Sequence, residues 1–253
     1  MEAAAGAMTS TREDIFANLR RSLKVTGDEA PRRATVAARL SAAPRGVVPA
    51  RGQLDRPGQI ALFQKMAEAV QATVSIVDTP ADVPGEAARY LRDSNLPATL
   101  RRGTDERLAA LPWNTTALDV EVGPSKGGDL NGISHAFGAV AESGTLVMVS
   151  GPENPSTLNL LPDNHIVVLD AADLAGDYES VLDRVRDRYG KGVMPRTVNF
   201  ITGPSRSADI AQTMLLGAHG PRGLHIILVQ NTGGNEVSEA PFSVPSGRDT
   251  PAV

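Results

Sequence analysis

The stretch "QIALFQKMAEAVQATVSIVDTPADVPGEAARYLRDSNLPATLRR", residues 59–102, decides the fold. Its first part, "QIALFQKMAEAVQA", reads as a helix and "TVSIVD" as a strand; "PGEAARYLRDS" then reads as a second helix and "PATLRR" as a second strand. Strands and helices alternating at this spacing imply a parallel sheet with helices on its faces. Working outward, "LDVEVG", the pair in "AVAESGTLVMVS", "HIVVLD", "TVNFIT" and "LHIILVQ" add further strands. Several are nearly continuous Val/Ile/Leu runs, as expected of strands buried on both faces. The expectation is one α/β domain over residues 58–230, with a mostly parallel central sheet flanked by helices.

Composition limits what such a domain can do. With 253 residues, 41% hydrophobic and 21% charged, the chain can build one large α/β core or two small ones at most. A formal net charge of -4 gives no general attraction to nucleic acid or anionic lipid, so any anion site must be local. There are no cysteines, which excludes disulfides, a thiolate nucleophile, a zinc ribbon and a Cys-ligated iron–sulfur cluster in this chain. No window approaches the roughly 18 to 20 apolar residues of a membrane span. The start, "MEAAAGAMTSTREDIF", lacks the basic and apolar regions of a secretory signal, so the expected location is cytoplasmic.

The flanks read differently from the domain. "TSTREDIFANLRRSLK" (residues 9–24) spaces Ile15, Leu19 and Leu23 by four, with acids early and bases late, and predicts a short amphipathic helix. Residues 25–57 are rich in Pro, Arg and Ala without a period and read as an extended arm or linker. The five arginines from Arg32 to Arg51 suit either a solvated linker or an acidic partner. Residues 231–253 have few apolar anchors and read as a disordered tail.

Two stretches concentrate potential chemistry. "FITGPSRSADIAQTMLLGAHGP" (residues 200–221) reads as a strand end, a turn at Gly203 and Pro204, a helix, and a second Gly-Pro turn. Ser205 or Ser207 would cap that helix. Its free amides would sit at the carboxyl edge of the sheet, where anions bind, with Arg206 as a fixed cation and Asp209 to orient it. The alternative is that the serines are caps and Arg206 pairs with Asp209 on the surface. His219 falls on the following loop, at the opposite edge by crossover geometry, and reads as a structural histidine; His225 reads as a core residue. In "GAVAESGTLVMVSG" (residues 138–151) a short turn holds Glu142, which could act as nucleophile, base or ligand-binding acid, with Thr145 as a hydroxyl donor. An exposed hairpin turn would suit the same residues. "GPSKGGDLNG" (residues 123–132) matches neither glycine-rich phosphate fingerprint and reads as a flexible loop. Ser205 does not sit in a nucleophile elbow, and His135, His165, His219 and His225 have no metal-ligand spacing.

Taken together, "AESGTL", "LLPDNHIVVL", "TGPSRSADI" and "GAHGPRGLHIILV", in this order and spacing, resemble the LUD-domain family, most closely its lactate-utilization protein C branch. Ser143 stands where the family usually has Thr. The resemblance implies a fold like that of the sugar-phosphate isomerase and CoA-transferase superfamily. It also implies a non-redox subunit that works with two iron–sulfur partner proteins in oxidising L-lactate to pyruvate. On that reading this chain carries no cofactor and binds a small anionic ligand, its partners, or both. The motif positions are Glu142, Gly144 and Thr145, then Thr202, Gly203, Pro204, Ser205, Arg206 and Asp209, then His219, Gly220 and Pro221. Two other readings stand beside it: an enzyme of that superfamily acting alone on a CoA ester or sugar phosphate through Glu142, and an assembly module with a degenerate pocket.

Overall fold

The computed structural model describes residues 8–210, 213–217 and 219–231, with the backbone alone at 8–11, 207–210 and 213–216. The tail expected over 231–253 lies almost wholly outside the described residues. The chain divides into two compact units between Val47 and Val48. The first holds the expected helix, α1 (Met8–Leu23), and a second one, α2 (Ala30–Ala42), where an extended arm was expected. Pro31 lies in the first turn of α2, where its missing N–H costs nothing, and Ala and Arg dominate the rest. None of its side chains is buried, so no apolar stripe marks it in the sequence.

The second unit carries the α/β domain. It begins with α3 (Arg56–Ala69), β1 (Thr73–Val77), α4 (Val83–Asp93), β2 (Thr99–Arg102), α5 (Glu106–Ala109) and β3 (Asp119–Val122). They are followed by β4 (Asn131–His135), β5 (Gly138–Val140), β6 (Thr145–Val149), α6 (Ser156–Leu160), β7 (Asn164–Asp170) and β8 (Leu174–Ala175). The remainder is α7 (Tyr178–Tyr189), β9 (Val198–Ile201), β10 (Arg206–Ile210), β11 (Thr213–Leu216) and β12 (Gly223–Val229). Six strands form the expected parallel sheet, in the order β1-β12-β7-β4-β2-β3. A second, smaller sheet runs β8-β5-β6-β9, and β10 pairs with β11 as a separate antiparallel hairpin.

The central strands are buried on both faces, and their alternation fills two cores. Val167 and Leu169 of β7, with Leu224, Ile226 and Leu228 of β12, pack with Phe63 of α3 and with Leu146 and Met148 of the second sheet. Ile166 and Val168, with Ile227 and Val229, face the other way onto Val83 and Leu91 of α4, Leu100 and Leu108. Two imidazoles are buried in these strands. Burial pushes His165 down to about 3. It pushes His225 down to about 4, although the neighbouring Glu86 pulls the other way. His225 stacks on the Tyr90 ring with centroids 4.1 Å apart and shares a 2.8 Å hydrogen bond with Thr73, in keeping with its reading as a core residue.

Three expectations are corrected. "TVNFIT" does not join the parallel sheet: as β9 it runs antiparallel to β6 in the second sheet. Arg206–Ile210 and Thr213–Leu216 pair as the antiparallel strands β10 and β11 rather than forming a helix; Ser205 closes the base of the pair by accepting from the Gly217 amide at 3.0 Å. Ala, Met and Leu favour a helix there, but pairing between the two arms overrides that weak preference. Finally, β4 lies inside the stretch read as a loop and its sequel. It is buried at every residue, yet "NGISH" has only one β-branched residue to announce it.

The order of strands also locates the crevice of the main sheet. The chain leaves β2 for β3 on one side and leaves β4 for β7 on the other, so connections diverge between the neighbours β2 and β4. In open parallel sheets such a divergence opens a cleft at the carboxyl ends of the strands.

Candidate functional site

The turn between β5 and β6 holds Ala141, Glu142, Ser143 and Gly144. Gly144 has φ +65, and a Cβ there would overlap the Ala67 amide of α3, so only glycine lets the turn lie so close to that helix. Ala141 donates to the Ala175 carbonyl at 2.8 Å and Glu142 to that of Gly176 at 3.3 Å. Residues 50–53 pass over this point, because the Gly52 and Gly176 backbones touch so closely that a Cβ on either would overlap the other's carbonyl oxygen. Gln53 ties the segment down with a 2.9 Å bond to Asp177, the N-cap of α7, and Arg56 donates to the Leu174 carbonyl.

Glu142 is sealed beneath this strap, its side chain only 4% exposed. Arg51 Nε stands 3.5 Å from Glu142 Oε2, and that oxygen accepts no hydrogen bond among the described residues. Arg51 itself is 61% exposed, so solvent weakens the pair. A buried carboxylate oxygen without a donor is costly, on the order of 1–3 kcal/mol, and is the kind of group that a fold keeps for a task. Chemically it is ready to accept a proton or a hydrogen bond, provided Arg51 and Gly52 yield.

Beside Glu142 runs a chain of hydroxyls. Ser143 Oγ lies 2.8 Å from Thr145 Oγ1 and donates to Tyr178 at 2.9 Å; Thr145 Oγ1 lies 2.9 Å from the Tyr178 hydroxyl and 2.8 Å from Thr202 Oγ1. Thr145 is fully buried and Thr202 is exposed, so the chain links the interior to the surface. These contacts bring Thr145 of one motif to Thr202 of the other.

The rest of the second motif is arranged otherwise than expected. Gly203 is buried against the Val70 carbonyl just before β1, and the Ser205 amide donates at 2.8 Å to Pro221, just before β12. The turn therefore lies at the amino edge of the main sheet, with no helix amides following it. Pro204 is partly buried within this turn, Arg206 is exposed at the start of β10, and the side chain of Asp209 lies outside the described residues. His219 is exposed, and the Ser205–Pro221 bond places its loop next to the Gly203 turn rather than at the opposite edge. Gly52, Gly176 and Tyr178 carry no mark in the sequence, and Arg51 reads there only as one of five arginines of a linker. The only available signal was "AGDY", whose Asp177 is a ready N-cap beside a small residue.

The LUD domain model matches residues 60–229, two thirds of the chain and every motif position above. The chain belongs to the LUD-domain family. Arg51 and Gly52 fall outside the matched span. Among similar proteins, a lactate utilization protein C of Geobacillus sp. is 31% identical over 49% of this chain and 55% of its own length. The lactate utilization protein C of Bacillus subtilis is 35% identical over 40% and 42%. An uncharacterised protein of Neisseria meningitidis is 37% identical over 39% and 41%. The chain thus spans about half the length of the curated relatives it matches. The crystal structure of a DUF162 family protein from Deinococcus radiodurans superposes with a TM-score of 0.51 and 23% identity, over 70% of this chain and 99% of that one, which shows a shared fold. Among the described residues no helix is long and apolar enough to cross a membrane.

Proposed function

We propose that this LUD-domain chain is a non-redox component of a lactate-utilization system, in which iron–sulfur partner proteins carry the electrons while L-lactate is oxidised to pyruvate. The observation that carries the reading is the set of relatives named lactate utilization protein C, beside the LUD domain match that spans Glu142 and Thr145. The absence of cysteine from the chain supports the division of labour, since ordinary iron–sulfur ligands must then come from elsewhere. On this reading Glu142 Oε2, which has no hydrogen-bond donor among the described residues, accepts a proton or hydrogen bond from a partner protein once the Arg51 strap yields. The hydroxyl chain from Ser143 to Thr202 holds the turn in register meanwhile.

The test is genetic. Deleting the gene should impair growth on L-lactate and leave growth on pyruvate intact, and a tagged copy should recover proteins bearing iron–sulfur clusters from lactate-grown cells. Complementation with Glu142→Gln should fail to restore growth although the protein accumulates. Equal growth of the deletion strain on both carbon sources, with no paralogue present, would remove the lactate assignment.

A further inference from the structure

At the other end of the β5–β6 hairpin lies an open cavity of about 810 Å³ that none of the motifs marks. It occupies the divergence between β2 and β4. Asp105 and Arg107 follow β2, His135 ends β4, and the wall is completed by the loop after β6 and the segment before β9. The site is built rather than incidental. Gly103 lies hard against the Glu153 carbonyl and Thr104 donates to Pro152 at 3.2 Å, which pins the loop after β6 to the exit of β2. Arg107 clamps Asp105 with bonds of 3.1 and 2.8 Å, and Arg184 pairs with Asp173. Burial alone would raise the Asp105 pKa, but the Arg107 donors and charge outweigh it and hold the carboxyl below its usual range. For Asp173 burial prevails over Arg184 and pushes the carboxyl up.

With those ion pairs satisfied, the remaining groups specify a ligand. Asn154 is 7% exposed; its amide NH₂ donates to the Val149 carbonyl at 3.2 Å, leaving a buried Oδ1 with no donor among the described residues. His135 Nδ1 is 3.0 Å from the Ala136 carbonyl, which can only accept, so Nδ1 carries a proton. His135 Nε2 then faces Asp170 Oδ2 at 3.4 Å, too far for a strong bond. A hydroxyl suits this floor better than any charged group, because it can donate to Asn154 Oδ1 and can either donate to Nε2 of a neutral imidazole or accept from Nε2–H of an imidazolium. On the wall, Arg196 is exposed and has no side-chain partner among the described residues, which leaves it free for an anionic oxygen pair.

We propose that this cavity is a binding site for a hydroxyl-bearing organic anion, with the hydroxyl on the Asn154–His135 floor and the carboxylate or phosphate on Arg196. This deepens the functional reading above by giving the anion a place, and it is tested by binding rather than growth, so that either can fail alone. Calorimetric titration of the full chain compares pairs that differ by one hydroxyl: L-lactate with propionate, L-malate with succinate, glycerol 3-phosphate with propyl phosphate. In at least one pair the hydroxylated member should bind about tenfold or more tightly than its partner, and the pair that responds tells carboxylate from phosphate. Arg196→Ala, on the surface and harmless to folding, should weaken that binding by about tenfold or more. Asn154→Ala should erase the preference for the hydroxyl. The proposal is overturned if no pair binds, if the hydroxyl makes no difference, or if Arg196→Ala binds as the parent does.

Discussion

The two ends of the β5–β6 hairpin solve opposite problems. At the Glu142 end everything is closed: backbones touch at Gly52 and Gly176, Gly144 lies against α3, and a buried carboxylate keeps an unused oxygen beneath an arginine. At the His135 end, charged pairs line an open cavity at the carboxyl edge of the main sheet. The closed end bears the recognisable motif and the open end bears none. Tight backbone contacts demand particular residues at consecutive positions and leave a readable string. A cavity walled by the ends of several strands draws single residues from distant places and leaves no string at all.

The largest expected effect sets the glycines of the two ends against each other. Gly176→Ala places a methyl onto the Gly52 carbonyl and should cost about 4 kcal/mol or more, whereas Gly151→Ala on the cavity loop meets nothing within 4 Å and should change stability by no more than about 0.5 kcal/mol. Chemical denaturation of both variants checks this, and comparable losses would break the contrast between sealed and open ends. Lowering the pH sharpens it by loading the sheet between them. The folded pKa values of His165 and His225 lie near 3 and 4, below an unfolded value of about 6.5, so the unfolded chain binds more protons in that window. Stability is therefore fully present above pH 6.5 and falls as pH drops. The loss between pH 7 and pH 5 should be about 2 kcal/mol per histidine, and His165→Gln should remove about half of the slope.

Smaller effects follow within the closed end. Thr145→Val removes a buried hydroxyl that three others touch and should cost about 1–3 kcal/mol in denaturant melts. Arg51→Ala should shift stability by no more than about 1 kcal/mol, since its pair with Glu142 is long and largely solvated on one side. A large loss on Arg51→Ala would mean that the strap is a structural clasp instead of a movable cover.

The parallel sheet was legible because α3 through β2 repeat strand and helix with clean periods. The Thr145–Thr202 bond connects the two motifs. What escaped was non-local. Nothing within "TVNFIT" tells whether it will enter a parallel sheet or pair antiparallel with β6, and that choice moved Gly203 from the carboxyl to the amino edge. β4 escaped because "NGISH" is buried by its neighbours on both sides rather than by its own apolar content. With β4 went His135, which read as one histidine among four without spacing. Arg51 and Gly52 were hidden in a segment whose composition resembles a linker.

The central claim is that the ligand enters at the His135 end of the hairpin and not at the motif end. A crystal structure of the full chain soaked with the tightest-binding hydroxylated anion tests it most directly. The account predicts ligand density between Arg196 and the Asn154–His135 floor, with Arg51 and Gly52 still closed over Glu142; density against Glu142 with the His135 cavity empty would contradict it.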